Sequence, residues 1–182
     1  MTKNFIKLIK TEYSFTIGRK GKIRELRIVF DKKDYHHLAG LHYLKDIRIL
    51  KQDRGKVFDK LSDGTITRET VESSDFYDEY IEGRIAAVDE LEKLLDSNEI
   101  VLRYNSSANS YTKINFDYIL ESNNTYIFLK ENDGCCRCIS LFRKGRTDYT
   151  VGHTKWTLLK KIKTDVENNI SEELYSRDVL QK

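Results

Sequence analysis

The sequence predicts an α+β fold, and three observations carry that expectation. Helical spacings fill the first half of the chain, a period of two takes over from Glu99, and short polar turns (SNN, NDG, RKGR) separate the later segments. Helices followed by strands describe a sheet with helices packed on it, not alternating βαβ units. The expected architecture is an N-terminal hairpin and helices packed on a curved antiparallel β-meander. It is one domain over residues 1–163, with an acidic helical insert at about 66–97 and a C-terminal tail at 164–182. With 182 residues, 39% of them hydrophobic, the chain can bury a core of its own. Proline is absent, so Gly, Asn and Asp must make the turns.

Asn4–Glu12 is a short helix or strand. Ser14–Ile17 and Ile23–Phe30 flank GRKG and form a hairpin with a basic, Gly-rich tip. Leu26, Ile28 and Phe30 alternate with Glu25, Arg27 and Val29, which gives the second strand an apolar face. Asp31 is placed to cap a helix running through Lys45. A second helix spans about Gly55 to Leu61 and stops at Ser62-Asp63-Gly64, and Thr67–Ser73 is a short helical piece. Phe76–Leu95 is the most regular helix. Its apolar stripe includes Phe76, Tyr77, Tyr80, Ile81, Ile85 and Val88, and its other face is acidic. Glu99–Asn105, Lys113–Glu121, Thr125–Lys130, Cys135–Phe142 and Tyr149–Lys163 are the five later strands.

The net charge of +3 conceals a segregation of sign. Residues 1–56 carry 15 basic and 6 acidic side chains, and residues 134–163 carry 8 and 1. The segment between them, 57–133, carries 7 basic and 17 acidic. Two basic blocks from opposite ends of the chain suit a basic face assembled in the fold, and nucleic acid is the commonest polyanion such a face binds. The plainer alternative is ordinary solvated surface. Glu79, Glu82, Asp89, Glu90 and Glu92 are the wet face of their helix, or a cover for the basic face.

Several classes are set aside. No apolar run is long enough to cross a membrane, and MTKNFIKLIK lacks an apolar signal core, so a soluble cytoplasmic protein without a membrane partner is expected. There is no Walker loop, GxGxxG, HExxH or GxSxG, so no cofactor and no metal are expected. Cys135 and Cys138 have C-x-x-C spacing, half a zinc site, but no second ligand pair follows, and CCRCISLF also reads as a strand with Cys as a small hydrophobe.

Three of the four histidines fall in DYHHLAGLHYLK, Asp34–Lys45. On a continuous helix Tyr35, Leu38, Leu41 and Leu44 face inward, His37 and His42 lie on opposite margins, and His36 points away. A half-desolvated imidazole of this kind can be tuned for proton transfer near neutrality; the plainer reading is a histidine bonded to a backbone carbonyl. FRKGR presents Arg143, Lys144 and Arg146 on a tight turn, with Gly145 letting the backbone approach a phosphate. In the last strand Trp156 and Leu158 face the core, so His153 and Lys155 face the groove or solvent. Histidine, lysine and arginine without a metal motif point to metal-independent RNA cleavage, because RNA supplies its own 2′-OH nucleophile.

The run Tyr35-x-His37-Leu38-x-Gly40-Leu41, soon after a strand, resembles the phage-associated barnase/EndoU/colicin/RelE-like nucleases, in the subgroup usually numbered fourth. Gly152-x-Thr154-Lys155-Trp156-Thr157 is similar to that subgroup's closing strand. The resemblance covers roughly residues 14–163 and implies a barnase/EndoU/RelE-like fold. It implies a metal-independent endoribonuclease, often a toxin or phage-conflict effector of a mobile element, acting on tRNA, rRNA or mRNA, with an antitoxin or immunity protein as partner. It makes His37 an acid/base candidate and Thr154 and Lys155 substrate contacts. Arg143 and His153 join His37 and Lys155 as catalytic candidates, and Lys144, Arg146 and His42 join Thr154 as substrate-binding candidates. The main alternative is a non-catalytic nucleic-acid- or protein-binding module on a nuclease scaffold.

Overall fold

The computed structural model describes residues 1–98, 101–104 and 114–177. Helix α1 (Lys3–Ile9) buries Phe5 and Leu8. Strands β1 (Thr11–Arg19) and β2 (Lys22–Val29) form the expected hairpin, paired from Tyr13↔Ile28 to Arg19↔Lys22. Its tip, Lys20-Gly21, takes φ of 46° and 76°, the doubly left-handed turn that suits a two-residue hairpin. Tyr13, Phe15, Ile17, Leu26 and Ile28 point inward.

Asp31 caps α2 (Lys32–Leu38) through a reciprocal box: its carboxylate accepts from the Lys33 amide, and Asp34 accepts from the Asp31 amide. The helix does not reach Lys45. Gly40 adopts φ 77°, which ends the α-helical path, and Leu41–Tyr43 form a 3₁₀ turn. Helix α3 (Arg54–Ser62) starts on Asp53 and α4 (Arg68–Glu72) on Thr67, close to expectation. The single helix expected over 76–95 is two, α5 (Glu79–Asp89) and α6 (Leu91–Asp96), broken at Glu90. Asp78 accepts from the Ile81 amide and starts α5 there, so Phe76 lies outside the helix. Phe76 and Tyr80 are exposed at 52% and 49%, while Arg84 is buried.

The remaining strands are β3 (Val101–Tyr104), β4 (Tyr118–Glu121), β5 (Thr125–Asn132), β6 (Cys135–Arg143), β7 (Thr154–Asp165) and β8 (Ile170–Ser176). The SSANS turn and the strand ends at Glu99, Asn105 and Lys113 lie outside the described residues. β3 to β6 pair consecutively and antiparallel. The sheet is not an open meander, however. β7 reaches β3 at Thr154–Trp156 and β1 at Thr157–Asp165, and β2 meets β6 in parallel at Ile28↔Cys136 and Val29↔Arg137, which closes seven strands into a barrel. A parallel contact requires a long crossover, and the helices between β2 and β6 supply one. β8, in the segment expected to be a tail, continues the sheet on β7.

Strand alternation divides the core. Tyr118, Leu120, Ile127 and Leu129 join the main cluster with the helices, whereas Ile119, Tyr126 and Phe128 form a second cluster with Phe116 on the opposite face of β4 and β5. Cys136 and Cys138 are buried in the main cluster, and burial pushes the Cys136 thiol up to about 12. They pack as small hydrophobes, and among the described residues no three His, Cys, Asp or Glu side chains cluster as metal ligands. No helix among those residues is long and apolar enough to cross a membrane.

Candidate active-site cleft

The turn at Gly40 rearranges the histidines. His36 does not point away; it is buried, with Nε2 2.8 Å from the Leu50 carbonyl, because residues 45–51 fold over that face of α2. His37 and His42 are not on opposite margins. Left-handed Gly40 folds the chain back and stacks the two rings at 4.5 Å and 17°. Burial lowers the pKa of His37, and the charges of Arg84 and Arg54 add to this, while a backbone hydrogen bond to Ile139 opposes it. Burial, with His37 and Arg84 beside it, takes His42 down to about 4. Both rings are therefore neutral at pH 7, the protonation state of a base.

Arg84 holds this corner together from α5. It is 3% exposed, and its guanidinium donates to three oxygens at 3.0 Å: Nε to the Leu38 carbonyl, Nη2 to the His37 carbonyl and Nη1 to the Tyr80 hydroxyl. The two carbonyls end α2, where a cation meets the negative end of the helix dipole. Gly40 is needed here twice over: a Cβ would need left-handed strain, and it would sit 3.0 Å from Arg84 Cδ and 3.1 Å from Ile81 Cδ1. Among the described residues Arg84 has no carboxylate partner. A guanidinium carries five N–H groups, so two remain for another acceptor.

The corner faces a cleft of about 580 Å³. His37, Tyr43, Tyr80 and Arg84 form its helical wall. The sheet wall consists of Ile139, Ser140 and Phe142 of β6, with Ile114, Asn115 and Tyr149. One side is thus cationic and imidazole-bearing and the other largely apolar.

The model of the family described as phage-Barnase-EndoU-ColicinE5/D-RelE like nuclease4 matches residues 2–178. The chain belongs to this family. No curated protein and no solved structure matches the chain. Membership marks the chain as nuclease-like and phage-associated and suggests nucleic acid as its class of substrate. The match runs from α1 through β8, so the acidic helices and the last strand both lie within it.

In this nuclease-family fold the expected site residues fall into three groups. His37 and His42 share the cleft corner. His153 is half-buried with its ring edge-on to Phe116 at 5.2 Å, outside the cleft lining, and burial and Arg103 lower its pKa. Thr154 and Lys155 begin β7 opposite Tyr104 and Arg103, and Lys155 is exposed. The basic segment forms the third group; it is the end of β6 and the loop after it, not the expected tight turn, which instead falls at residues 149–152. Arg143 lies 3.7 Å from Glu90, and Lys144 Nζ donates to Glu121 at 2.8 Å and sits over the Tyr126 ring. Arg103 also holds Glu121, at 2.9 Å. Burial alone would raise the Glu121 carboxyl, but its two cations outweigh that and lower it. Arg146 is exposed.

Sequence reasoning missed Arg84, Tyr43, Asn115 and Ser140, and assigned Tyr80 to the core. Arg84 did leave a signal. It is the lone cation between Arg68 and Lys93, and it shares a helical stripe with Ile81, Ile85 and Val88.

Proposed function

We propose that the chain is an endoribonuclease that cleaves RNA by its own 2′-OH, with His/Arg chemistry and no metal step. The observation that carries this reading is Arg84: a buried guanidinium with no carboxylate partner among the described residues, opening beside a neutral imidazole into a cleft. Burying a cation unpaired is costly, and a phosphate at the cleft corner would compensate it.

In this reading the neutral His37 ring, which lines the cleft beside Arg84, accepts the 2′-OH proton. The 2′-oxygen attacks phosphorus, the phosphorus–5′-oxygen bond breaks, and Arg84 meets the negative charge that builds on the equatorial oxygens. The Tyr80 and Tyr43 hydroxyls, on the same wall as His37, are donors for the leaving 5′-oxygen. The products are a 2′,3′-cyclic phosphate and a 5′-OH. His42 stacks on His37 and fixes the ring plane. Lys144, Arg146, Thr154 and Lys155 lie outside the cleft and contact the flanking backbone, as does Arg143, and His153 has no assigned step. A toxin or conflict-effector role, held in check by an inhibitor protein, fits an unguarded nuclease of this kind.

The test is incubation of the purified protein with total tRNA and rRNA in EDTA beside His37→Ala. Fragments ending in cyclic phosphate, absent with the variant, support the reading. Salt-sensitive binding without cleavage by either protein moves it to a binding module on a nuclease scaffold.

A further inference from the structure

The sheet wall of the cleft contains two polar groups that the chemistry above does not use. Ser140 is 8% exposed and lines the cleft, and its hydroxyl has no protein partner among the described residues. The hydroxyl opens onto the cleft and is not enclosed, so it can exchange water for a polar group of a ligand. Asn115 lines the same wall, and its Oδ1 lies 3.1 Å from Lys130 Nζ. An ammonium only donates, so Lys130 fixes the amide with its oxygen turned to the lysine and its N–H₂ without a partner among the described residues. Around these two groups the wall is aromatic. Tyr149 and Phe142 pack edge-to-face at 5.2 Å, and across the cleft Tyr43 and Tyr80, exposed at 42% and 49%, meet at 6.0 Å.

We propose that this wall is a base-reading subsite that takes one unstacked nucleobase and selects the keto bases, uracil and guanine, through Ser140 and Asn115. The inference rests on the ribonuclease reading and adds substrate specificity to it. A cleft of about 580 Å³ holds one small ligand. With a phosphate at Arg84, the attached base lies against the opposite wall, where any base can stack on the rings. The polar pair then discriminates. Uracil and guanine both present a ring N–H beside a carbonyl oxygen; Ser140 Oγ accepts from the first and the Asn115 amide donates to the second. Adenine and cytosine present the reverse order, an amino donor beside a bare ring nitrogen, and leave the Asn115 amide facing a donor. A base held inside a duplex cannot enter, so the substrate is single-stranded or looped RNA.

The test has two independent arms on the full chain. Uridine and guanosine 3′-monophosphates are expected to bind about tenfold more tightly than the adenosine and cytidine compounds. Ser140→Ala and Asn115→Ala should each lower that ratio, and Asn115, being exposed, can be replaced without disturbing the core. In the second arm, mapped cut sites should follow uridine or guanosine in the wild type and lose that bias in the variants. Equal binding of all four nucleotides, or a ratio unchanged in both variants, overturns the subsite. Keto-base preference in binding with no RNA cleavage upholds the subsite and overturns the ribonuclease reading. Cleavage without base bias does the opposite.

Discussion

The cleft corner and the Phe142–Arg146 segment both carry cations, and they differ in what those cations touch. In the segment, Lys144 is bonded to Glu121, which Arg103 also holds, and Arg143 faces Glu90. In the corner, Arg84 bonds neutral oxygens, two of them at the negative end of α2, and among the described residues has no carboxylate partner. Counting residues along the chain favours the segment, with three cations in four positions, over α5, with one cation among acids. The structure reverses the ranking, because available charge depends on pairing and burial and not on density.

The sharpest way to break this comparison is His37→Ala. Loss of a general base lowers the cleavage rate by about 10²–10⁴-fold, with RNA affinity nearly unchanged in a filter-binding titration. A variant that still cuts near the wild-type rate would move the reacting site away from the corner. Arg84→Met comes next. It strands the His37 and Leu38 carbonyls and should lower unfolding free energy by about 2–4 kcal/mol in a denaturant titration, along with cleavage. The basic segment should respond weakly. Lys144→Ala is expected to cost no more than about 1 kcal/mol and Arg143→Ala less, since exposed pairs contribute little. Each of these two variants should instead reduce the salt dependence of RNA binding by about one unit of slope if its cation meets a phosphate. Equal destabilisation by Arg84→Met and Lys144→Ala would erase the distinction.

Acidity separates the two regions more gently. His36, His37 and His42 all have folded pKa values below the ordinary 6.5, so the folded chain prefers them neutral. Their contribution is intact above about pH 6.5. It falls as the pH drops through that value, where the unfolded chain takes up protons first, and it is exhausted near pH 4, where His42 protonates in the folded chain. A thermal-melt series from pH 7.5 to 4 should show the midpoint falling through this window, with cleavage falling on the same side. The Lys144–Glu121–Arg103 group, whose carboxyl its two cations hold below the ordinary range, has little reason to respond until the pH falls further.

Much of the fold was legible because it is local. GRKG specifies its own turn, Asp31 and Asp34 form their own cap, and the pleat of Leu26, Ile28 and Phe30 needs no distant partner. The parallel seam between β2 and β6 has no such local signal, since it depends on where the whole helical crossover delivers Cys136. The corner was half legible. The His37–Gly40 run stood out, but which face of α2 is covered depends on residues 45–51, and the His37–His42 stack depends on one left-handed residue. Arg84 was readable as a cation on an apolar stripe. It was passed over because a charged residue in a charged helix is usually solvated.

The closure of the barrel also sets an order of events. Thr11 pairs with Asp165 and Gly18 with Thr157, so one of the first strands to leave a ribosome waits for one of the last. Both walls of the cleft precede β7 in the chain, yet the sheet that holds them apart at working distance is incomplete until β7 arrives. Pairings this remote in sequence also form slowly once the chain is free. A chain truncated after residue 153 should therefore show no cooperative melt, and a ribosome still translating this protein would carry the cleft's parts without the closed sheet that frames them.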